Sequence, residues 1–227
     1  MTTNTKPTFY QFNLSPFTRA ITLLAYNNKI DLDFIDVDLF QGQHLSEDYA
    51  TINPNQTVPC LVDGNITIWQ SNSILRYLCL KYDLPEYPNT LEARIRVDNM
   101  LDFFTSDFTS SFFLNFCLVG ILPTITYSSQ EINEEVIEKS EPYRLKHFDF
   151  IENTLSNNSF LCGDSVTIAD YQLVMLLTMG AIKQFDFSPY PNISRLLAYF
   201  KQMPHWDEIN SPLLQFIEQA LSEEVSV

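Results

Sequence analysis

The sequence predicts an α/β domain with a mixed sheet, in the order βαβ then ββα, followed by an all-α helical bundle. Three observations predict it. Residues 7–82 alternate between strand-like and helix-like patterns. Residues 83–89 hold two prolines among turn-forming residues, the composition of a linker. Beyond them the pattern is almost wholly helical. The expected organisation is therefore a first domain over 1–82, a linker over 83–89 and a helical domain over 90–227. A chain of 227 residues, 45% of them hydrophobic, has room for a core in each domain.

Each element has a local reason. Thr8-Phe9-Tyr10-Gln11-Phe12 is rich in β-branched and aromatic residues and reads as a strand. A helix follows over 16–28. Pro16 suits its first turn, where a missing N–H costs nothing, and Ala20, Leu23, Leu24 and Asn27 share a face. Residues 34–39 alternate apolar and acidic, as a half-buried strand does. After a loop or short helix come strands over 58–62 and 66–69, joined by a hairpin turn at Asp63-Gly64. Ser71 opens a helix ending near Tyr82. In the second domain Leu91, Ile95, Met100, Leu101, Phe104, Phe108 and Phe112 sustain a long helix. Residues 134–155, 168–182 and 192–202 give further helices.

Thirteen basic residues against 28 acidic ones leave a net charge of −15. A nucleic-acid surface needs a basic patch, and an anionic membrane surface needs one too, so both partners are disfavoured. No apolar run approaches the roughly 20 residues needed to span a bilayer. The polar stretch from Met1 to Pro7 has no signal-peptide core. Cys60, Cys79, Cys117 and Cys162 are scattered, with no metal-ligand spacing, and read as reduced thiols of a cytoplasmic protein. No metal and no cofactor is expected.

Two runs carry the functional signal. In Asn53-Pro54-Asn55-Gln56-Thr57-Val58-Pro59-Cys60-Leu61 a proline enters a strand, where it belongs only at a start or an edge. A cis Val58–Pro59 bond would turn the backbone and leave Val58 free to pair with an extended peptide. In Trp69-Gln70-Ser71-Asn72-Ser73-Ile74 a strand hands over to a helix, placing Ser71 at a helix N-terminus that attracts carboxylates. Ser71 as a plain N-cap is the alternative, and both can hold.

These runs resemble the glutathione-site core of the cytosolic glutathione S-transferase superfamily. Leu14-Ser15-Pro16-Phe17-Thr18-Arg19-Ala20 is similar to the N-terminal serine motif of its theta and delta classes. Gly42-Gln43-His44-Leu45, the run 160–170 and Tyr190-Pro191-Asn192-Ile193 resemble further family segments in the right order. The resemblance implies a thioredoxin-like first domain and a homodimer. It implies that Val58, beside Pro59, pairs with the cysteinyl unit of glutathione. Gln70 and Ser71 would hold the γ-glutamyl end, Gln56 and His44 would lie near the glycine carboxylate, and Ser15 would face the thiol, although by position alone Ser15 reads as an N-cap serine with no chemistry. Gln70-Ser71-Asn72 looks more like the alpha, mu and pi classes, which use a tyrosine, so Tyr10 is a rival donor to Ser15. In a pi-like arrangement a carboxylate of the other subunit completes the site, and Asp102 and Asp107 are the candidates; both could equally face water.

Thr167 and Asp170 read as a reciprocal capping box, with Val166 and Tyr171 as its staple, and not as chemistry. The phenylalanines at 104, 108 and 112, with Phe116 beyond them, have helical spacing; most should be core, and some would line an apolar pocket for a second substrate. Tyr127 and Trp206 are further pocket candidates.

The implied activity is conjugation of the glutathione thiol to a hydrophobic electrophile. A free thiol with pKa near 8.5 is only a few per cent thiolate at pH 7, and lowering it by two units takes about 2.7 kcal/mol. One hydrogen bond to a charged group supplies about 1.5–3 kcal/mol, so a single hydroxyl nearly suffices. The alternatives are a non-catalytic relative that binds glutathione or a protein, and a glutathione-dependent isomerase or peroxidase.

Overall fold

The computed structural model describes residues 6–119 and 134–224. The first half is a four-stranded mixed sheet in the order β2-β1-β3-β4. β1 (Thr8–Gln11) runs parallel to β2 (Asp33–Asp36) and antiparallel to β3 (Cys60–Asp63), which pairs antiparallel with β4 (Ile66–Trp69). Phe9 sits opposite both Phe34 and Leu61 and is fully buried, fixing the register. α1 (Pro16–Asn27), α2 (Glu47–Ile52) and α3 (Ser71–Lys81) complete this domain.

Three strands differ from expectation at their ends, β1 only in stopping at Gln11 and not Phe12. β2 stops at Asp36 because Asp38 turns the chain, its Oδ1 accepting from Phe40 N–H and Gln41 N–H. β3 starts at Cys60 because Pro59 has no N–H for the ladder. α1 buries far more than the expected face: Arg19, Ile21 and Thr22 are buried as well. The reason is tertiary. α1 is gripped between α3 and α6 (Ile168–Thr178), and α6 is itself buried along ten consecutive residues.

The helical domain starts with α4 (Leu91–Phe103), capped by Thr90, whose Oγ1 accepts from Ala93 N–H. The expected single long helix changes winding here, and Phe104–Cys117 is π-helical. Phe104, Phe108 and Phe112 stay fully buried along it. α5 (Glu134–Ser156), a 3-10 segment (Met179–Lys183) and α7 (Pro191–Lys201) close around them. Gly180 lets that segment approach: a Cβ there would lie 3.1–3.2 Å from Phe187, Phe112 and Phe185. α8 (Trp206–Glu224), which the sequence reading left unassigned, packs back on α1 and α7. Among the described residues no helix is long and apolar enough to cross a membrane.

The capping box forms as expected. Asp170 Oδ2 accepts from Thr167 N–H (2.8 Å) and Thr167 Oγ1–H (2.9 Å), and Oδ1 accepts from Leu161 N–H (2.9 Å).

Candidate active site

A cleft of about 410 Å³ opens where the two domains meet. Its first wall is the β1–α1 turn, with Ser15 and Pro16 at the head of α1. Ser15 N–H donates to Phe12 O (2.9 Å), and Ser15 O accepts from Arg19 N–H (3.0 Å), so its backbone is committed. Its hydroxyl is not: Ser15 stands at the N-cap position yet makes no side-chain cap bond. The simple capping alternative therefore does not describe this serine. The helix start beside it carries the partial positive charge of unpaired N–H groups.

The second wall is the segment leading into β3. Val58–Pro59 is cis, Val58 lies outside the ladder, and the cleft is lined by Gln56, Thr57 and Val58. Two buried side chains hold this segment in shape. Asn53 Nδ2–H donates to Thr57 O (2.7 Å), and Tyr49 O–H donates to the same oxygen (2.8 Å). Asn53 Oδ1 also accepts from Asn55 N–H (3.0 Å), which sets the turn that puts Gln56 at φ +51°. The reading of the motif gave neither Asn53 nor Tyr49 a role, although an asparagine two residues before another turn residue is an Asx-turn signal.

His44, in a 3-10 turn (Gln43–Leu45), also lines the cleft. Its Nδ1 is buried with no partner, and burial lowers its pKa, so the ring is neutral at pH 7. The rest of the lining is apolar: Phe12, Leu14, Phe17, Leu39 and Leu45 from the first domain, and from the helical domain Phe113, Leu114 and Leu118, then Met179 and Ile182, then Leu213 and Phe216 of α8. The α8 residues were missed. Ile209, Leu213 and Phe216 do show helical spacing, which signals a helix but not its place at the cleft. Phe216 stacks on Phe40 of the first domain, with ring centroids 5.5 Å apart.

Ser15, His44, Gln56 and Val58 are thus brought together. Pro59, Gln70, Ser71, Asp102 and Asp107 are not part of this cleft. Gln70 is exposed at the start of α3 with φ +76°, a conformation costly for a non-glycine residue and concentrated at ligand clamps. Ser71 is buried beside it. Asn72 ties this helix start to the second domain, its Nδ2–H donating to Leu101 O (3.0 Å) and Thr105 Oγ1 (2.7 Å). Asp102 is exposed, 3.8 Å from Arg76, and Asp107 accepts from Ser106 Oγ–H on the exposed side of the helix.

Two pocket expectations need correction, and the rival donor to Ser15 lies apart. Phe104, Phe108 and Phe112 are fully buried and do not line the cleft: Phe104 packs on Phe108, Phe108 and Phe112 pack on Phe148, and Phe112 also packs on Phe185. Trp206 is core, packed on Phe200. Tyr10 is away from the cleft, edge-on to Tyr49 at 5.8 Å. Tyr127 lies outside the described residues.

The protein's own thiols are poor nucleophiles. Burial pushes Cys60 and Cys162 up to about 11 and Cys79 up to about 12. The cleft offers instead an uncommitted hydroxyl, a free extended backbone edge and an apolar wall, the parts needed to seat a thiol-bearing peptide beside an apolar partner.

That combination of a mixed βαβ–ββα sheet, a cis-proline edge and a helical second domain defines a two-domain class, a thioredoxin-like domain joined to a helical bundle. Comparison with known proteins specifies it. Residues 6–79 match the N-terminal domain of glutathione S-transferases, and residues 114–204 match the C-terminal domain. Glutathione S-transferase 1 of Manduca sexta is 33% identical over 211 residues, covering 90% of this chain and 92% of that one. A glutathione transferase homolog from Drosophila mojavensis with bound glutathione is 29% identical, with a TM-score of 0.81 over 96% of this chain and 97% of that one. Human glutathione transferase theta-2, in complex with glutathione, is 26% identical, with a TM-score of 0.86 over 96% and 91%. The chain belongs to the glutathione S-transferase family.

Proposed function

We propose that this glutathione S-transferase uses the Ser15 hydroxyl to hold the glutathione thiol as a thiolate, which attacks a hydrophobic electrophile seated against the helical domain. The observation that carries this reading is the free Ser15 hydroxyl at the head of α1, facing a cleft with one apolar wall. The thiol proton leaves to solvent, the sulfur lone pair forms the new C–S bond, and the leaving group departs with its electron pair. The co-substrate supplies the nucleophile, so the scheme calls for no cofactor.

In this reading residues 1–82 bind glutathione and 90–227 supply the second-substrate wall and the dimer contact, with 83–89 between them. Val58 pairs with the cysteinyl unit, Gln56 and His44 border the glycine end, and Gln70 and Ser71 take the γ-glutamyl end. A homodimer is supported by exposed apolar side chains on α4 and on the free sheet edge: Leu91 is 71% exposed, Ile95 50%, Ile66 46% and Trp69 44%. Asp102 or Asp107 would then reach the neighbouring site. Free thiols support a reducing, cytoplasmic setting.

The test is conjugation of a general aromatic electrophile, assayed with and without glutathione. Turnover that requires glutathione and collapses in Ser15→Ala supports the proposal. Tight glutathione binding without turnover would replace it with the non-catalytic reading.

A further inference from the structure

Among the described residues Arg19 is the largest fully buried side chain, and no carboxylate among them pairs with it. Its Nη1–H groups donate to Asn210 Oδ1 and Thr178 Oγ1 (2.9 Å) and approach Met175 Sδ (3.8 Å); Nη2 lies 3.1 Å from Met179 Sδ, and Nε has no partner. The groups facing it from α6, the 3-10 segment and α8 are therefore neutral. A buried cation is ordinarily paired, because desolvation is expensive. This one is held by dipoles alone in a chain with 28 acidic residues to choose from.

Its position gives the charge a use. Arg19 lies one helical turn after Ser15. Met179, which it touches, lines the cleft, and Asn210 is one turn before Leu213, which also lines it. The guanidinium thus stands one side chain behind the cleft wall, and no acidic residue lines that cleft.

We propose that Arg19 is an electrostatic positioning residue, whose unpaired charge behind Met179 stabilises the thiolate held at Ser15 without touching it. In a low-dielectric wall the field of a fixed charge is weakly screened. The free protein leaves Arg19 without a counter-ion, and the bound thiolate becomes one. Burial lowers the guanidinium only to about 9, so it remains cationic at neutral pH.

The inference rests on the thiolate reading above, and one experiment separates the two. The thiolate absorbance of the glutathione complex is followed against pH in the wild type, Arg19→Met and Arg19→Lys. A unit charge about 10 Å away at an effective dielectric near 20 moves a pKa by about one unit. Arg19→Met is expected to raise the thiol pKa by about that much, and Arg19→Lys to restore most of the shift. Asn210→Asp tests the same point with the arginine in place, because a carboxylate on the guanidinium neutralises its field; the thiol pKa should again rise. A wild-type thiol titrating near its free value overturns the thiolate reading itself. A lowered wild-type titration that neither Arg19→Met nor Asn210→Asp moves overturns the Arg19 assignment alone, leaving the arginine as an interdomain tie.

Discussion

Asp170 offers a perturbation whose size follows from its bonds. It is fully buried and accepts from Leu161 N–H, Thr167 N–H and the Thr167 hydroxyl. Asp170→Ala leaves two buried backbone donors without an acceptor, each costing about 1–3 kcal/mol. Losing a carboxylate that burial disfavours offsets part of this, so a net loss of about 2–4 kcal/mol is expected. For a chain of this size that lowers the melting temperature by roughly 5–15 °C. The pH dependence has a defined sign. Burial raises the Asp170 carboxyl from 3.8 to about 6 against the pull of its hydrogen bonds. The unfolded chain therefore loses this proton first. The group's contribution to stability is greatest below about pH 4, falls as pH climbs to about 6, and is flat above. Circular dichroism melts at pH 7, and denaturant unfolding between pH 4 and 7, compare wild type and variant; the variant should lose that slope. A melting temperature within 1–2 °C of wild type would refute the accounting, since it would mean that the two N–H groups found other partners.

Three further outcomes are expected. Ser71→Ala should weaken glutathione binding by about 1–3 kcal/mol through loss of a charge-assisted partner, and calorimetry showing unchanged affinity would remove Ser71 from the site. Phe216→Ala opens the α8 wall and breaks the stack with Phe40. It should raise the KM for the electrophile severalfold with little change for glutathione; equal changes in both would count against the two-walled cleft. Leu91→Glu with Ile95→Glu should convert the dimer to monomer in light scattering at micromolar concentration, and a wild type that is already monomeric would contradict the proposed interface.

What was legible in the sequence was local. The Val58–Pro59 pair, the Thr167–Asp170 cap and the strand-to-helix handover at Ser71 each rest on chemistry within a few residues, and each appears as read. The misreadings all depend on partners distant in the chain. The spacing of Phe104, Phe108 and Phe112 signals a core-facing stripe, as found, but not that none of the three reaches the cleft. The Leu213 and Phe216 wall is invisible without knowing that α8 folds back over α1. Arg19 stands in the serine motif with nothing local to show its burial, which α6 and α8 impose by closing over it. Ser15 lay between these cases. Its position suggests an N-cap, and the hydroxyl proves uncommitted only in the folded chain.

The central claim is that this hydroxyl holds a thiolate, and titration of the thiolate absorbance in the glutathione complex tests it most directly. Wild type, Ser15→Ala and Tyr10→Phe are compared at saturating glutathione. The wild-type thiol should titrate well below the free value near 8.5, Ser15→Ala should return it by about one to two units toward that value, and Tyr10→Phe should leave it in place. A titration unmoved in Ser15→Ala, with the shift lost in Tyr10→Phe, would contradict the account and hand the role to Tyr10.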